Sequence, residues 1–195
     1  MAIAETRRSQ ADRTAATKAA LAEGAIEVLV EKGWAATTVI EVCNRVGVSR
    51  GAFHHHYDSL PELLADALAC LYSGLVSPER PVVTDVAGLV DTTWAAIGHP
   101  RFKAVIEAWL AMANDPTLRT TIGPVVAGFS SLVNPDGFKR VLTDSERRDF
   151  FVTARESMLG LALGRAVNGG KALGHERRVL GRIRAEAAQL DRASD

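Results

Sequence analysis

The sequence predicts an all-α protein, and three observations lead to this prediction. Alanine and leucine are frequent, and apolar residues recur at spacings of three and four positions, which is the period of an amphipathic helix. The strong alternation of apolar and polar residues that is typical of strands is not found in the sequence. Proline, glycine and capping residues interrupt the helical pattern at short intervals. We therefore expect a series of helices joined by tight turns.

Composition limits the class of protein. The 195 residues suffice for one large domain or two small ones, and 47% apolar with 24% charged residues is typical of a globular chain. Basic and acidic residues each number 23, so the net charge alone indicates no polyanionic partner. The sequence has no apolar run long enough for a membrane span and no apolar leader. With only Cys43 and Cys70, it favours a reduced, cytoplasmic location.

Two helices are predicted in the first part of the chain. The first runs from Thr14 to Lys32, after a flexible arm of residues 1–12. Thr38 and Glu41 have the spacing of a capping box, in which each side chain bonds the free backbone N–H of the other residue. A short second helix therefore begins after Thr38, and the pattern ends it near Val46.

A tight turn and two further helices follow. In Gly47-Val48-Ser49, the glycine can adopt the left-handed conformation that closes a helix, and the serine can cap the next one, which runs to about His56. Ser59 and Glu62 form a second capping-box pattern for a fourth helix that ends near Leu75.

The best boundary between two domains is the segment 77–81, in which two prolines bracket a polar link. It divides the chain into residues 1–76 and 77–195. In the second part we predict helices at about 84–98, 101–113, 116–133, 144–168 and 175–192. Thr143 and Glu146 give a third capping-box pattern.

Residues from about 38 to 57 have the pattern of a helix-turn-helix, in which the second helix enters the major groove of DNA. At 100° per residue, Phe53 and Tyr57 share the inward face of this second helix, whereas Gly51, Ala52 and His55 lie opposite, flanked by His54 and His56. Small residues permit close approach to the bases, and Arg50 can reach a phosphate or a guanine edge. The predicted DNA-binding residues are Thr38, Ser49, Arg50, Gly51, Ala52, His54, His55 and His56. A helical corner without any DNA function is the alternative.

Residues 18–68 resemble the DNA-binding domain of the tetracycline-repressor (TetR) family. The resemblance is carried by Gly33-Trp34 after the first helix, by the helix led by Thr38, and by Gly47 to Gly51. Phe53 to Tyr57 align with the Leu-Tyr-x-His-Phe segment of the family, so that His56 matches and His54 replaces a tyrosine that commonly touches phosphate. Asp58 to Leu60 stand where the family often has a lysine.

The resemblance implies a dimeric repressor that binds a palindromic operator and is released by a small-molecule effector. Residues 1–76 are then the DNA-binding domain, and 77–195 form a helical effector-binding and dimerisation domain. An effector pocket is mostly apolar with a few polar groups, and the ligand charge stays open. The candidate lining residues are Trp94, Glu107, Trp109, Met112, Phe129 and Arg155.

The last two long helices carry apolar stripes that could form a four-helix dimer interface, as in the family. Gly160 and Gly164 are one turn apart and would let another helix approach closely. Packing within the subunit is the alternative for the same stripes. The candidate interface residues are Phe151, Ala154, Met158, Gly160, Leu161, Gly164, Leu180, Ile183 and Ala187.

The role of the basic N-terminal residues and the class of protein stay open at this point. The basic residues Arg7, Arg8, Arg13 and Lys18 could follow phosphates or a minor groove, or belong to a solvated tail. The sequence has no phosphate loop, GxSxG or HExxH, and consecutive histidines point about 100° apart, so we predict no catalytic site, cofactor or metal. A regulator without a small-molecule effector, an activator, and an all-helical enzyme with a chance helical corner remain as alternatives.

Overall fold

The computed structural model describes residues 10–75, 82–132 and 138–193, and the side chains of all of these except 129–132. Within these ranges the chain forms nine α-helices and a short 3-10 turn, Trp34–Ala36, and has no strand. The helices are α1 (Gln10–Lys32), α2 (Val39–Val46), α3 (Arg50–His54), α4 (Leu60–Leu75), α5 (Val86–Ile97), α6 (Phe102–Asn114), α7 (Pro116–Leu132), α8 (Ser145–Val167) and α9 (Glu176–Arg192). The all-α prediction is confirmed.

Two local predictions need correction. Helix α1 already includes residues 10–13, ahead of the predicted start at Thr14, because these residues tolerate helix. The cap of α8 is Asp144 rather than Thr143: its Oδ1 accepts from the backbone N–H of Arg147 at 2.9 Å. The Thr143 hydroxyl donates instead to the Asp144 carboxylate at 3.2 Å. Residues 1–9 and the predicted link at 77–81 lie outside the described residues.

In the first part of the chain, α2 and α4 pack on α1, and α3 packs on α2. Its inner face buries Leu21, Ile26 and Leu29 against α4 and α2. Phe53 of α3 is fully buried in the same core. Of the remaining helices, α5, α6 and α9 pack on α8, α5 also packs on α9, and α7 packs on α6. Because α4 also packs on α7 and α6 contacts α1, the buried apolar residues of both parts form one continuous cluster.

No helix among the described residues is both long and apolar enough to cross a membrane.

Candidate nucleic-acid interface

The turn between α2 and α3 is fixed by backbone geometry and one serine. Gly47 adopts a left-handed conformation with φ 76°, and its N–H donates to the carbonyl of Cys43 at 2.9 Å. The N–H of Val48 donates to the same carbonyl at 3.1 Å. Ser49 then caps α3, with its Oγ accepting from Ala52 N–H at 3.1 Å. These bonds set the angle at which α3 leaves α2.

Helix α3 turns its aromatic side inward and its small, polar side outward. Phe53 is 0% exposed and Tyr57, just beyond the helix, is 3% exposed. The side chain of His54 meets the Phe53 ring edge-on, with the ring centroids 5.1 Å apart. The exposed surface consists of Arg50, Gly51, His54 and His55, with Ala52 and His56 half-buried at its margins. This burial follows the face that the 100° rotation predicts, and the contact of these residues with DNA stays a prediction.

Ion pairs hold α2 against α1. Arg45 of α2 pairs with Glu27 at 3.3 Å and also with Glu31, both on α1. The bond from Arg45 keeps the pKa of the Glu31 carboxyl below its usual value. Thr38 caps α2 by accepting from Glu41 N–H at 3.2 Å, while the Glu41 carboxylate accepts from Lys32 at 2.6 Å. These contacts hold the helix-turn-helix in one orientation on α1.

A second contact supports α3 from behind. Lys18 of α1 lies with its Nζ 4.8 Å from the centroid of the Tyr57 ring and 3.9 Å from Asp66 of α4. Burial and, secondarily, the Asp66 carboxylate raise the pKa of the Tyr57 hydroxyl. Lys18 thus packs against the supporting tyrosine, and a contact of Lys18 with phosphate stays a prediction. Arg7 and Arg8 of that arm lie outside the described residues.

Glu107, a predicted effector residue, joins α6 to the turn after α1. Its carboxylate accepts from the backbone N–H of Trp34 at 3.0 Å. Gly33, with φ 80°, lets the carboxylate come close, since a Cβ there would lie 3.2 Å from Glu107 Oε1. One turn earlier on α6, Lys103 Nζ donates to the carbonyl of Val30 at 2.6 Å.

The other predicted effector residues make contacts with their own neighbours. Trp94 stacks under the guanidinium of Arg165 at 5.0 Å, and Trp109 meets Phe102 edge-on at 5.7 Å. Arg155 pairs with the adjacent Glu156 at 2.8 Å. Met112 is buried, and the side chain of Phe129 lies outside the described residues. None of the six lines the cavities described below. The aromatic contacts of Trp94 and Trp109 are those of packed side chains, and a role of the six residues in effector binding stays a prediction.

Most of the predicted interface stripe belongs to the core of the subunit itself, which corrects the prediction. Seven of its residues are between 0% and 8% exposed: Phe151, Ala154, Met158, Leu161, Leu180, Ile183 and Ala187. Phe151, for example, packs on Phe138 with ring centroids 6.1 Å apart. Gly164 makes room for Leu173 of the same chain, since a Cβ there would lie 2.6 Å from the Leu173 side chain. Gly160 alone faces outward with open space around it.

Sequence reasoning missed the contacts that join α6 and its N-cap residue to α1 and the turn after it. Besides Lys103 and Glu107, Arg101 pairs with Glu23 at 2.7 Å. A buried ion pair was missed as well: Glu176 of α9 is 7% exposed and accepts from Arg165 of α8 at 2.6 Å. The partners lie on different elements, 11 residues apart for Arg165 and Glu176 and 73 or 78 apart for the others, so no helical spacing could have revealed them. Among the described residues, no group of three His, Cys, Asp or Glu side chains is placed to hold a metal ion.

Comparison with known proteins places the helix-turn-helix in a family. Residues 21–67 match the family model for bacterial regulatory proteins of the tetR family. The transcriptional regulator CymR of Pseudomonas putida is 31% identical over 123 residues, which cover 60% of this chain and 61% of CymR. The uncharacterised regulator YerO of Bacillus subtilis is 33% identical over 63 residues, 32% of this chain and 22% of YerO. The chain thus spans less than two thirds of either relative's length.

Solved structures extend the likeness of the fold to most of the chain. A transcriptional regulator from Rhodococcus sp. Rha1 superposes with a TM-score of 0.70 at 22% identity, over 89% of this chain and 96% of that one. The multidrug-binding protein EbrR, complexed with imidazole, gives a TM-score of 0.58 at 19% identity, over 85% of this chain and 93% of EbrR. The matched family model, the curated relatives and the shared fold agree. Residues 21–67 thus match the tetR-family model, and most of the chain shares its fold with solved transcriptional regulators.

Proposed function

We propose that this protein is a sequence-specific DNA-binding transcriptional regulator, a homodimeric repressor that a small-molecule effector releases from a palindromic operator. The single observation that carries the proposal is the orientation of α3. Its aromatic residue is fully buried, while Arg50, Gly51, His54 and His55 are exposed on a helix that is capped and braced from behind. A helix with small and polar outward residues fits the major groove, which is about 12 Å wide.

Each part of this surface has a role in the proposed complex. Arg50 supplies a cation for phosphate or a bidentate bond to guanine, and the histidine rings supply N–H donors. Gly51 permits close approach, since a Cβ at that position would meet only the Ser49 hydroxyl at 3.7 Å. Thr38, at the exposed start of α2, lies where the first helix of such a motif crosses the DNA backbone. Residues 1–76 act as the DNA-binding domain.

The dimer in this proposal uses the outward face of α8 and the groove beside it, which share only Gly160, Ala154 and Ile183 with the predicted stripe. Val152, Leu163 and Val167 are 36%, 46% and 83% exposed, and they share this face with Gly160. Between α8 and α9 runs a groove of about 790 Å³, with Phe150 and Leu190 among its lining residues and Ala154 and Ile183 at its floor. Exposed apolar residues beside a groove are typical of a subunit interface, and a two-fold axis would present two copies of α3 to successive major grooves.

Regulation by a small molecule is supported by the likeness to EbrR, which is a multidrug-binding protein with structures in complex with imidazole and with proflavin. Residues 77–195 act in this proposal as the effector-binding and dimerisation domain. The effector shifts the population toward a state that binds DNA less well, and its differential affinity for the two states supplies a coupling of about 1–3 kcal/mol.

Selection of bound sites from random duplexes tests the proposal, and it yields a palindrome if the function is right. On the selected duplex, we expect Gly51→Leu to remain folded and to lose at least about 2 kcal/mol of binding free energy, the scale of a lost base contact. The matched control is Gly181→Leu, a helical glycine that is also exposed with open space around it. A folded Gly51→Leu protein that binds as tightly as the control would contradict the proposed recognition surface.

A further inference from the structure

A cavity of about 270 Å³ lies where the DNA-binding part of the chain meets the rest. Its walls come from the end of α1, the turn between α5 and α6, the start of α6 and the end of α8. The cavity is partly open to solvent, and since an apolar cavity of about 150 Å³ can bind benzene, this volume admits a small organic ligand. The apolar lining consists of Val30, Ile97, Phe102, Ile106, Ala162 and Ala166.

The charged groups in the wall already have partners. Arg165 donates to Glu176 at 2.6 Å and to the carbonyl of Gly98 at 2.8 Å. Lys103 donates to the carbonyl of Val30, as described above, and also lies 3.9 Å from Glu107. Glu31 is paired with Arg45. A charged ligand would have to displace one of these bonds or lose its hydration without compensation, so the cavity favours a neutral molecule.

The cavity also lies one side chain away from the helix-turn-helix. Val30 and Glu31 of α1 form part of its wall, and Glu31 binds Arg45 on α2. On the opposite wall, Lys103 of α6 bridges to Val30. A ligand that pushes α6 and the end of α1 apart therefore acts on the helix to which α2 is fixed.

We propose that this junction cavity is an effector site for a neutral, compact and mostly apolar molecule of one or two rings. The site requires the effector-regulated function proposed above. It differs from the predicted pocket, because it shares no residue with the six effector candidates. Its occupant contacts both α1 and α6, and occupancy changes the affinity for DNA by altering how α1 is held.

The binding step is tested on the full-length protein without DNA. Indole and 2-naphthol serve as neutral probes, and indole-3-carboxylate and 2-naphthoate serve as their charged counterparts. We expect a neutral probe to raise the melting temperature in a concentration-dependent way and to bind at least about tenfold more tightly than its carboxylate. The proposal is overturned if neither neutral probe binds, or if the carboxylates bind as tightly.

A cavity-filling variant locates the binding. Ala166 is half-buried on α8 and lines the cavity, so the longer side chain of Ala166→Leu occupies part of its volume. Ala111→Leu on α6 is the matched control, because Ala111 is also half-buried on a helix but lies outside the cavity. We expect Ala166→Leu to weaken probe binding at least about tenfold and Ala111→Leu to leave it unchanged. Equal weakening in both variants, or in neither, would place the probe elsewhere.

The regulatory step uses the selected DNA duplex and fluorescence anisotropy. We expect the bound neutral probe to lower the DNA affinity of the wild-type protein by about 5- to 150-fold, and to leave that of Ala166→Leu nearly unchanged. A probe that binds in the cavity without changing DNA affinity overturns the assignment as an effector site, although DNA binding itself stands. If the protein binds no duplex at all, the proposed function fails, and the melting experiment still decides whether the cavity binds neutral ligands.

Discussion

Helices α3 and α8 contrast in the surface that each leaves exposed. Helix α3 has five residues, buries Phe53 and exposes small, basic and imidazole side chains. Helix α8 has 23 residues, buries Phe151, Ala154 and Met158 within its own subunit, and still exposes Val152 and Leu163 on the other side. A polar surface loses little by facing water or a hydrated DNA groove, whereas exposed aliphatic side chains gain by being covered. This difference matches the proposed roles, in which α3 binds DNA and α8 contacts a second subunit.

Removing the buried anchor of α3 is expected to have the largest effect on the free energy of unfolding. Phe53→Ala deletes a fully buried ring and leaves a cavity in the core shared by α1 and α4. We expect the free energy of unfolding to fall by about 3–5 kcal/mol, measured by urea denaturation. His55→Ala, on the exposed side of the same turn, should change stability by less than about 0.5 kcal/mol. Similar losses in both variants would mean that α3 is not anchored as described.

The proposed role of the α8 face is tested by placing a charge on it. Leu163→Glu should weaken dimerisation, because burying a leucine is worth about 1.5–3 kcal/mol for each copy. The dimer dissociation constant is measured by analytical ultracentrifugation and should rise at least about tenfold. Leu110→Glu on α6 is the matched control, since Leu110 is 56% exposed and Leu163 is 46% exposed. A Leu163→Glu protein that dimerises like the control would exclude this face.

Glu107 joins α6 to the turn that follows α1. Glu107→Ala leaves the half-buried N–H of Trp34 without its acceptor, which should lower the free energy of unfolding by about 1–3 kcal/mol. Glu107→Gln keeps a carbonyl oxygen for this bond and should lose less stability. Urea denaturation of the two variants separates the hydrogen bond from the charge, and equal losses would show that the attraction to Lys103 matters more.

The smallest expected effect concerns the pH dependence of the α8–α9 junction. Hydrogen bonds from Arg165 hold the pKa of Glu176 below its ordinary value of 4.5. A carboxyl whose pKa is lowered on folding stabilises the protein above that ordinary value, and this contribution disappears as the pH falls through the lower folded value. The melting temperature of the wild type should therefore fall more steeply below about pH 4.5 than that of Glu176→Gln. If the melting temperatures of the two proteins fell in parallel with pH, the Arg165–Glu176 pair would not contribute to stability as described.

The comparison of α3 with α8 also explains which predictions succeeded. In α3, Ser49 and Gly47 cap the turn, and only one face of a five-residue helix is apolar, so the neighbouring sequence decides what is buried. Helix α8 carries apolar residues on more than one side. Choosing between its sides depends on α5, α6 and α9, which pack against it. The predicted interface therefore included residues that the subunit covers by itself.

The sequence alone determined the helical class, the helix bounds to within a few residues, the caps of α2 and α3, and the outward face of α3. These features depend on hydrogen bonds and side-chain spacings within a few residues, which a sequence displays directly. Only the tertiary structure decided that Glu107 joins α6 to Trp34, that Gly164 accommodates Leu173, and that a cavity opens between α1, α6 and α8. Such features arise when helices far apart in the chain pack together, and the energy of packing depends on complementary shape across the contact rather than on the period of either helix.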